Sequence, residues 1–212
     1  MNVNDFIAKA KKVEKLPSLY KLGKFMNDKD DKYILCDCSG LIKGILWGYP
    51  EDGKYVSQGV PDINANTMIR ECSQVSTKFD NLPNGALVWM EGHIGIHVGN
   101  GICIESSPKW ENGIQKTFIK GSGHKNSEKL NERKWSKQGI FDKYIHYDIK
   151  YYPRYTGKSY MIDKVFKEIG APYGSVTKRK PVAIINGYSD YKGTASQNLK
   201  LISFAKQGRL KK

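Results

Sequence analysis

The stretch Gly85-Ala-Leu-Val-Trp-Met-Glu-Gly-His-Ile-Gly-Ile-His-Val-Gly-Asn-Gly-Ile-Cys-Ile-Glu105 determines the fold of the first part of the chain. Turn residues divide it into three short apolar runs, which predict neighbouring strands. The predicted strands are Ala86–Met90, His93–Val98 and Ile102–Glu105.

The middle strand carries two kinds of side chain. Because successive residues of a strand point to opposite faces, His93, Gly95 and His97 share one face, and the apolar residues between them share the other. Small and polar residues in a strand that is otherwise built for a core indicate that another group approaches that face.

A second stretch, Tyr33-Ile-Leu-Cys-Asp-Cys-Ser-Gly40, leads into the apolar run 41–47, which predicts a buried helix beginning near Cys38. A helix start favours a thiolate, the reactive form of cysteine. Alternatively, Cys38 is a small core residue, as free cysteines often are. A Cys at a helix start that faces a His on an adjacent strand, with a third polar residue orienting the His, is the arrangement of thiol hydrolases.

The chain has 212 residues and a net charge of +14, from 35 Lys+Arg and 21 Asp+Glu. Its 39% hydrophobic content is enough for a core and excludes wholesale disorder, and no apolar run approaches the roughly 18 residues that span a bilayer. Residues 151–212 hold 13 Lys+Arg and 3 Asp+Glu, so most of the charge lies there. Such an excess indicates a polyanionic partner.

The first 16 residues have the apolar spacing of a short amphipathic helix and lack the features of a signal peptide. We therefore expect synthesis in the cytoplasm, no membrane insertion and reduced cysteines. Tyr144–Asp148 is predicted to be the last strand of the first domain, and Lys150–Arg154 reads as a linker.

The basic tail predicts three helices. Apolar stripes end at Gly170 and Gly208, and a third helix is expected over Pro181–Ile185, with Pro181 at its first position. A weak repeat places Tyr155-Thr-Gly157 and Tyr191-Lys-Gly193 before the outer two helices. A basic three-helix module also suggests a DNA-binding alternative, with Lys178-Arg179-Lys180 on phosphates, or simply solvated charges.

Several motifs together resemble the NlpC-type papain-like cysteine peptidases of bacterial cell-wall metabolism, and in particular endolysins of phages of Gram-positive bacteria. The resemblance covers roughly residues 16–147. It is carried by Asp37-Cys38-Ser39-Gly40-Leu41, Gly92-His93-Ile94-Gly95-Ile96 with Gly99-Asn100-Gly101, Leu41–Trp47, Gly59–Asn66 and Trp135–Gly139.

The resemblance implies an α+β papain-like catalytic domain over 1–149, a linker over 150–156 and a basic helical wall-binding module over 157–212. It makes Cys38 the nucleophile, His93 the general base and Glu105 the third residue of the triad. Tyr20, a better match than Tyr33, is assigned with Asp37 and Ser39 to the oxyanion or substrate-binding region. No metal or cofactor is implied.

The implied activity is a peptidoglycan hydrolase that cuts an amide bond of the stem peptide as a γ-D-glutamyl endopeptidase. An N-acetylmuramoyl-L-alanine amidase with the same residues is the alternative. The expected partners are peptidoglycan and anionic wall polymers, with no nucleic acid, and the protein acts as a monomer after release through a holin-type pore or lysis. The alternative of another class is a non-catalytic wall-binding or nucleic-acid-binding protein.

Two departures from the family pattern, Cys36 and His97, allow a rival interpretation in which Cys36, Cys38, His93 and His97 bind zinc. The Cys-x-Cys spacing argues against it, and we expect Cys36 to be a core thiol and His97 to be a partly exposed strand residue. The aromatic residues Trp47, Trp89 and Trp110 either line the groove or pack against the core and rim.

The hairpin before Glu105 decides which face this residue occupies. A two-residue Asn100-Gly101 turn with regular pairing would put Glu105 on the face opposite His93. We therefore predict a three- or five-residue loop with Gly101 at positive φ.

Overall fold

A computed structural model describes residues 1–30, 32–49, 57–80, 82–147, 150–188 and 190–212, without the side chains of 27–29. The chain divides into two compact units, Met1–Tyr147 and Asp148–Lys212, each described by itself below. No helix in these ranges is long and apolar enough to cross a bilayer.

The described part of the first unit mixes helices with two sheets, so the α+β class predicted for it is confirmed. Its helices are α1 (Val3–Val13), α2 (Cys38–Leu46) and α3 (Ala65–Glu71). Its strands are β1 (Ser18–Tyr20), β2 (Phe25–Asp30), β3 (Tyr33–Cys36), β4 (Ser73–Ser76), β5 (Leu87–Met90), β6 (His93–Gly99), β7 (Ile102–Ser107), β8 (Gly113–Ile119), β9 (Glu132–Arg133) and β10 (Lys137–Ile140). The small sheet has the order β1-β3-β2, and the large one has the order β4-β10-β5-β6-β7-β8-β9.

The predicted N-terminal amphipathic helix is α1. Asn2 caps its first turn, and Phe6, Ile7, Ala10 and Val13 form its buried face against the main core. The spacing of these four residues places them on one side of a helix, which explains why the sequence alone was sufficient.

Helix α2 begins at Cys38 because Asp37 caps it. The Asp37 Oδ1 atom accepts the Gly40 backbone N–H at 2.6 Å, which satisfies one of the donors that a helix start leaves unpaired. All nine residues of α2 are buried, as expected for a helix that is apolar on every side.

The β6–β7 hairpin uses a two-residue turn, so the predicted longer loop is wrong. Asn100 and Gly101 have φ values of 52° and 73°, as a type I′ turn requires, and Gly99 lies opposite Ile102. The positive φ of Gly101 is as predicted. An irregularity between His97 and Gly99 then shifts the register, so that His97 lies opposite Cys103. This bulge restores the face of Glu105 that the turn alone would have inverted.

The strand predicted over Tyr144–Asp148 is not formed in the described residues. The backbone turns after Phe141, whose carbonyl accepts the N–H groups of Tyr144 and Ile145. His146 makes a single bridge with Asn2, and Asp148 lies outside the described residues. A turn, and not a strand, thus buries the apolar side chains of Phe141 and Ile145.

The second unit contains helices α4 (Ile162–Glu168), α5 (Val176–Ile185) and α6 (Ala195–Lys206). Helix α5 begins five residues earlier than predicted, because Ser175 caps it, and Pro181 therefore lies inside the helix. The segment predicted to be a linker packs on this unit instead. Tyr152 and Tyr155 donate their backbone N–H groups to Leu210 and Ala205, and the Tyr155 side chain is buried in the unit's core.

The DNA-binding alternative placed Arg179 on phosphates, but this side chain has other partners. Arg179 is buried, and its guanidinium donates to Asp163 Oδ1 at 2.5 Å and to the Tyr191 hydroxyl at 3.1 Å. A buried, paired guanidinium is a structural contact that holds α4, α5 and the segment before α6 together. It does not face a phosphate backbone.

Gly40 permits close packing of α2 against the backbone before β2. We expect Gly40→Ala to lower the free energy of unfolding of the first unit by about 3 kcal/mol. The reason is that a Cβ there would lie 1.9 Å from the Lys24 carbonyl oxygen, which is backbone and cannot turn away. Tryptophan fluorescence during urea denaturation of the full chain measures this unit alone, since all four tryptophans belong to it.

The matched control is Gly23→Ala, where φ is +77° and no atom lies within 4 Å of the added Cβ. Backbone strain alone predicts a loss of about 1 kcal/mol at that position. Equal losses for the two variants would contradict the role given to Gly40.

Candidate active site

The Cys38 thiol lies at the first residue of α2, with its Sγ 3.9 Å from the Gly92 carbonyl oxygen. Within the described residues no acceptor lies on the backbone N–H groups of Cys38 or Ser39. These groups and the helix dipole favour a negative charge at this point, either on the sulfur or on an oxygen attached to a bound carbonyl carbon.

His93 is the first residue of β6, directly after the Glu91-Gly92 turn. Its ring stacks on Trp135 with a centroid distance of 5.4 Å and an interplanar angle of 7°. Its Nε2 lies 2.6 Å from Glu105 Oε2, so the remaining ring nitrogen, Nδ1, is the one available for its hydrogen bond with Cys38. The three residues that the sequence analysis assigned to the triad therefore lie in one line.

Glu105 is completely buried and carries three side-chain hydrogen bonds. Besides His93, the Thr117 hydroxyl donates to it at 2.5 Å and the Arg133 Nε at 2.8 Å. Burial by itself raises the pKa of this carboxyl, but the hydrogen bonds from His93 and Thr117 and the charge of Arg133 outweigh burial and hold the pKa below its ordinary value. Glu105 is thus an ionised, fixed partner for His93.

Thr117 and Arg133 were missed by the sequence analysis. Strand β8 lies opposite β7 with Thr117 paired to Cys103, so its buried polar side chain is on the Glu105 face. The available indication was that the uncharged polar residues Gln115 and Thr117 are two positions apart, between the apolar Ile114 and Phe118. No sequence pattern indicated Arg133, because the strand that carries it, β9, joins the sheet through a parallel pairing with β8.

The imidazole of His93 holds its proton strongly. Burial alone lowers the pKa of His93, but hydrogen bonds with Cys38 and Glu105 and the charges of both raise it from 6.5 to about 9. Because the folded-state pKa is raised, the stability from this pairing is fully present below about pH 6.5 and is lost as the pH rises through about 9. At neutral pH, His93 is therefore the proton-bearing partner of Cys38.

The remaining predicted site residues have different surroundings. Asp37 accepts hydrogen bonds from Gly40 and Gly23 N–H groups and from the Ser39 hydroxyl, so both side chains are occupied at the helix start. Both side chains therefore hold the helix start that carries Cys38. Tyr20 lies beside Cys36 in the β1–β3 pairing, and burial, followed by Cys38 and Asp37, raises its pKa.

The zinc interpretation is not supported by the described residues, where no three His, Cys, Asp or Glu side chains are grouped to hold a metal. Cys36 is the predicted core thiol, and its Sγ donates to Ser106 Oγ at 3.4 Å. His97 is only 2% exposed, so the expectation of a partly exposed residue is wrong. Its Nδ1–H donates to the Pro83 carbonyl at 2.9 Å, and its ring lies on the sheet face away from the main core.

Asn66, on α3, fixes the turn that carries His93. Its Oδ1 accepts the Gly92 backbone N–H and the Trp89 Nε1–H, each at 3.0 Å, and its Nδ2 donates to Glu91 Oε1 at 2.7 Å. The three bonds hold the β5–β6 turn to α3. Sequence reasoning gave no indication of this contact.

The three tryptophans that were expected to line the groove or to pack differ in burial. Trp47 is buried and donates to the Val60 carbonyl, and Trp89 is bound by Asn66, so both are packing residues. Trp110 is 42% exposed.

Neither a protein-family model nor a curated protein matches the chain. Similar solved structures include the P60 domain of an antigen from M. avium subspecies paratuberculosis, with a TM-score of 0.41, 15% identity and coverage of 66% of this chain and 93% of that domain. NlpC2 from Trichomonas vaginalis has a TM-score of 0.40 and 20% identity, covering 65% of this chain and 46% of that protein. The peptidoglycan hydrolase RipB from Mycobacterium tuberculosis has a TM-score of 0.39 and 15% identity, and the match covers 66% of this chain and 64% of that protein. The chain thus spans less than two thirds of the last two proteins.

Glu105 is, after Cys38, the second group that raises the pKa of His93. In Glu105→Gln we expect the pKa of His93 to fall below about 9, because the ion pair with Glu105 is lost while the side-chain shape and the Cys38 contact remain. An NMR titration of the imidazole resonances measures this, with exposed His146 as an internal reference.

Thr117→Val is the matched control. It removes one donor to Glu105 but leaves the carboxylate charge, so His93 is expected to keep most of its raised pKa. A His93 pKa that stays near 9 in Glu105→Gln would mean that Glu105 does not contribute to raising it.

Proposed function

We propose that this chain is a thiol hydrolase that cleaves an amide bond of peptidoglycan. The observation that carries the proposal is the line from the Cys38 thiol through His93 to the buried Glu105 carboxylate, 2.6 Å from His93 Nε2. A thiol at a helix start, a base and a fixed orienting carboxylate are the parts that covalent acyl transfer needs.

The reaction proceeds in two halves. His93 holds the Cys38 proton, and the sulfur attacks the carbonyl carbon of the substrate amide. The developing oxyanion lies toward the N–H groups at the start of α2. Tyr20 is on β1, the strand that pairs with β3 just before this helix start. His93 gives its proton to the leaving amine, and a thioester remains on Cys38. Water, deprotonated by His93, then attacks the thioester and releases the acid and the free thiol.

The amide bond is assigned by the motifs around Cys38 and His93, which resemble those of NlpC-type wall peptidases. On that resemblance the protein is a γ-D-glutamyl endopeptidase. An N-acetylmuramoyl-L-alanine amidase would use the same three residues, because both bonds are amides. Mass spectrometry of the released fragments distinguishes the two.

The second unit is proposed to bind anionic wall polymers. Residues 151–212 carry 13 Lys+Arg and 3 Asp+Glu, and many of the lysines are exposed on its helices. Teichoic acids and stem-peptide carboxylates present the opposite charge at high density. In an endolysin, which the motifs resemble, such a unit would retain the enzyme on the wall after a pore or lysis gives it access.

A non-catalytic binding protein is the competing proposal. It would have no need for a buried carboxylate with three hydrogen bonds, because burying a charge is costly unless every acceptor is satisfied. The completed arrangement around Glu105 therefore favours the enzyme.

Removal of the thiol tests the catalytic proposal. We expect Cys38→Ser to lose at least about 1,000-fold of the rate at which soluble fragments are released from purified Gram-positive walls, since the nucleophile and the residues oriented on it act as a unit. Cys72→Ser is the control, because Cys72 is a partly buried thiol that donates to the Met68 carbonyl on α3. Equal digestion by wild type and Cys38→Ser would overturn the mechanism.

Exposed lysines of the second unit are expected to carry wall binding. In the Cys38→Ser background, which leaves the walls intact, we expect a combined change to Gln to lower the wall-bound fraction and weaken its dependence on salt. The positions changed are Lys164, Lys178, Lys180 and Lys200, all exposed. Pelleting with walls over a range of salt concentrations measures the effect.

The control carries the same loss of charge in the first unit, at Lys11, Lys12, Lys120 and Lys125, which are also exposed. If both sets weaken binding equally, the charge acts through the whole protein and the second unit is not a dedicated anchor.

A further inference from the structure

Trp110 combines solvent exposure with an unfavourable backbone conformation. It lies in the loop 108–112 between β7 and β8, 42% of its surface is exposed, and its φ is +65°. Bulky residues rarely adopt this left-handed region, and residues held there cluster at ligand-binding and active sites.

The loop is held in this shape by buried contacts. The Gln115 side-chain amide is buried and donates to the carbonyls of Ser107 and Glu111, on either side of Trp110. Asn112 Oδ1 accepts the backbone N–H of Tyr20 at 3.1 Å. The conformation of Trp110 is therefore fixed before any ligand binds, and the loop is attached to the strand that carries Tyr20.

A series of ring contacts connects Trp110 to the triad. The Arg133 guanidinium lies 4.6 Å from the Trp110 ring centroid and 5.7 Å from that of Trp135, and the Trp135 ring stacks on His93. The same Arg133 donates to Glu105. Trp110 thus lies next to the triad, in the loop that is bonded to Tyr20, and its ring contacts the buried Arg133.

The chemistry of this surface selects one part of the proposed substrate. An exposed indole offers a flat apolar face, and the ammonium of the exposed Lys109, which lies over the ring 4.6 Å from its centroid, adds a hydrogen-bond donor. The peptide stem of peptidoglycan has no aromatic side chain to stack there. A pyranose ring presents a flat face of C–H groups with hydroxyl and acetamido groups around it, and so matches an indole that has a donor within reach.

We infer that Trp110 forms a sugar subsite beside the triad, and that the enzyme acts on stem peptides still attached to the N-acetylmuramoyl residue of the glycan. This inference rests on the proposed function and specifies its substrate. It makes Trp110 a specificity residue that binds the sugar and takes no part in bond cleavage.

The experiment compares two soluble substrates that differ only in the sugar. One is a disaccharide-linked stem peptide, and the other is the same peptide carrying only the D-lactoyl group, which keeps both candidate amide bonds. Wild type is expected to favour the sugar-linked substrate by about tenfold in kcat/KM, the worth of about one aromatic stacking contact.

Trp110→Gly is the informative variant, because glycine accepts the left-handed backbone and removes only the indole. We expect it to lose the preference through a higher KM on the sugar-linked substrate, with kcat and the sugar-free reaction unchanged. Trp110→Phe is expected to keep most of the preference. Lys129→Gly, which relieves another left-handed residue (φ 55°) outside the site, is the control and should behave as wild type.

Each outcome has a separate meaning. The ratio of the two kcat/KM values does not depend on the fraction of enzyme that is folded, so a poorly folded variant still reports the preference. A Trp110→Gly enzyme with the wild-type ratio, or a wild type without preference, would overturn the sugar subsite. A wild type that cleaves neither substrate nor intact walls would overturn the proposed function instead.

Discussion

The candidate site depends on one buried carboxylate. Glu105 is inaccessible to solvent, and a negative charge in that position is tolerated only because His93, Thr117 and Arg133 all donate to it. These donors come from β6, β8 and β9, so the sheet must be assembled before the charge is satisfied. In return, the carboxylate fixes the orientation of the His93 ring and determines which nitrogen is left for Cys38. Assembly of the large sheet and formation of the His93–Glu105 pair are therefore coupled.

The thiol is positioned by a second, independent arrangement. Asp37 caps α2 and also binds the Gly23 backbone N–H, so the helix start is fixed to the chain before β2. The absence of a side chain at Gly40 lets that segment approach the helix closely. A helix and a sheet edge thus present Cys38 and His93 to each other, and Asn66 connects the turn before His93 to α3.

What could be predicted from the sequence follows the range of the interactions. The helix start at Cys38, the hairpin strands and α1 were predicted because their determinants, apolar runs and stripes bounded by turn residues, lie within a few residues. Arg133 and Asn66 could not be predicted, because each acts on residues more than 20 positions away. The start of α5 was misplaced because Pro181 is typical of a first helical turn, whereas the Ser175 cap lies earlier. The placement of Glu105 was anticipated, but through the wrong device, since a bulge and not a longer loop corrects the register.

The bulge at Val98 also restricts how this hairpin can change during evolution. Apart from this bulge, side chains of β6 and β7 alternate between the two faces of the sheet, so the insertion or loss of a single residue would move Glu105 from the face of His93 to the core face. Ile104 would then face Arg133, and the carboxylate would enter the apolar core without a donor. Length variants that keep the site must therefore compensate one irregularity with another. Homologous hairpins can differ in turn type and still agree in the parity of their residue count.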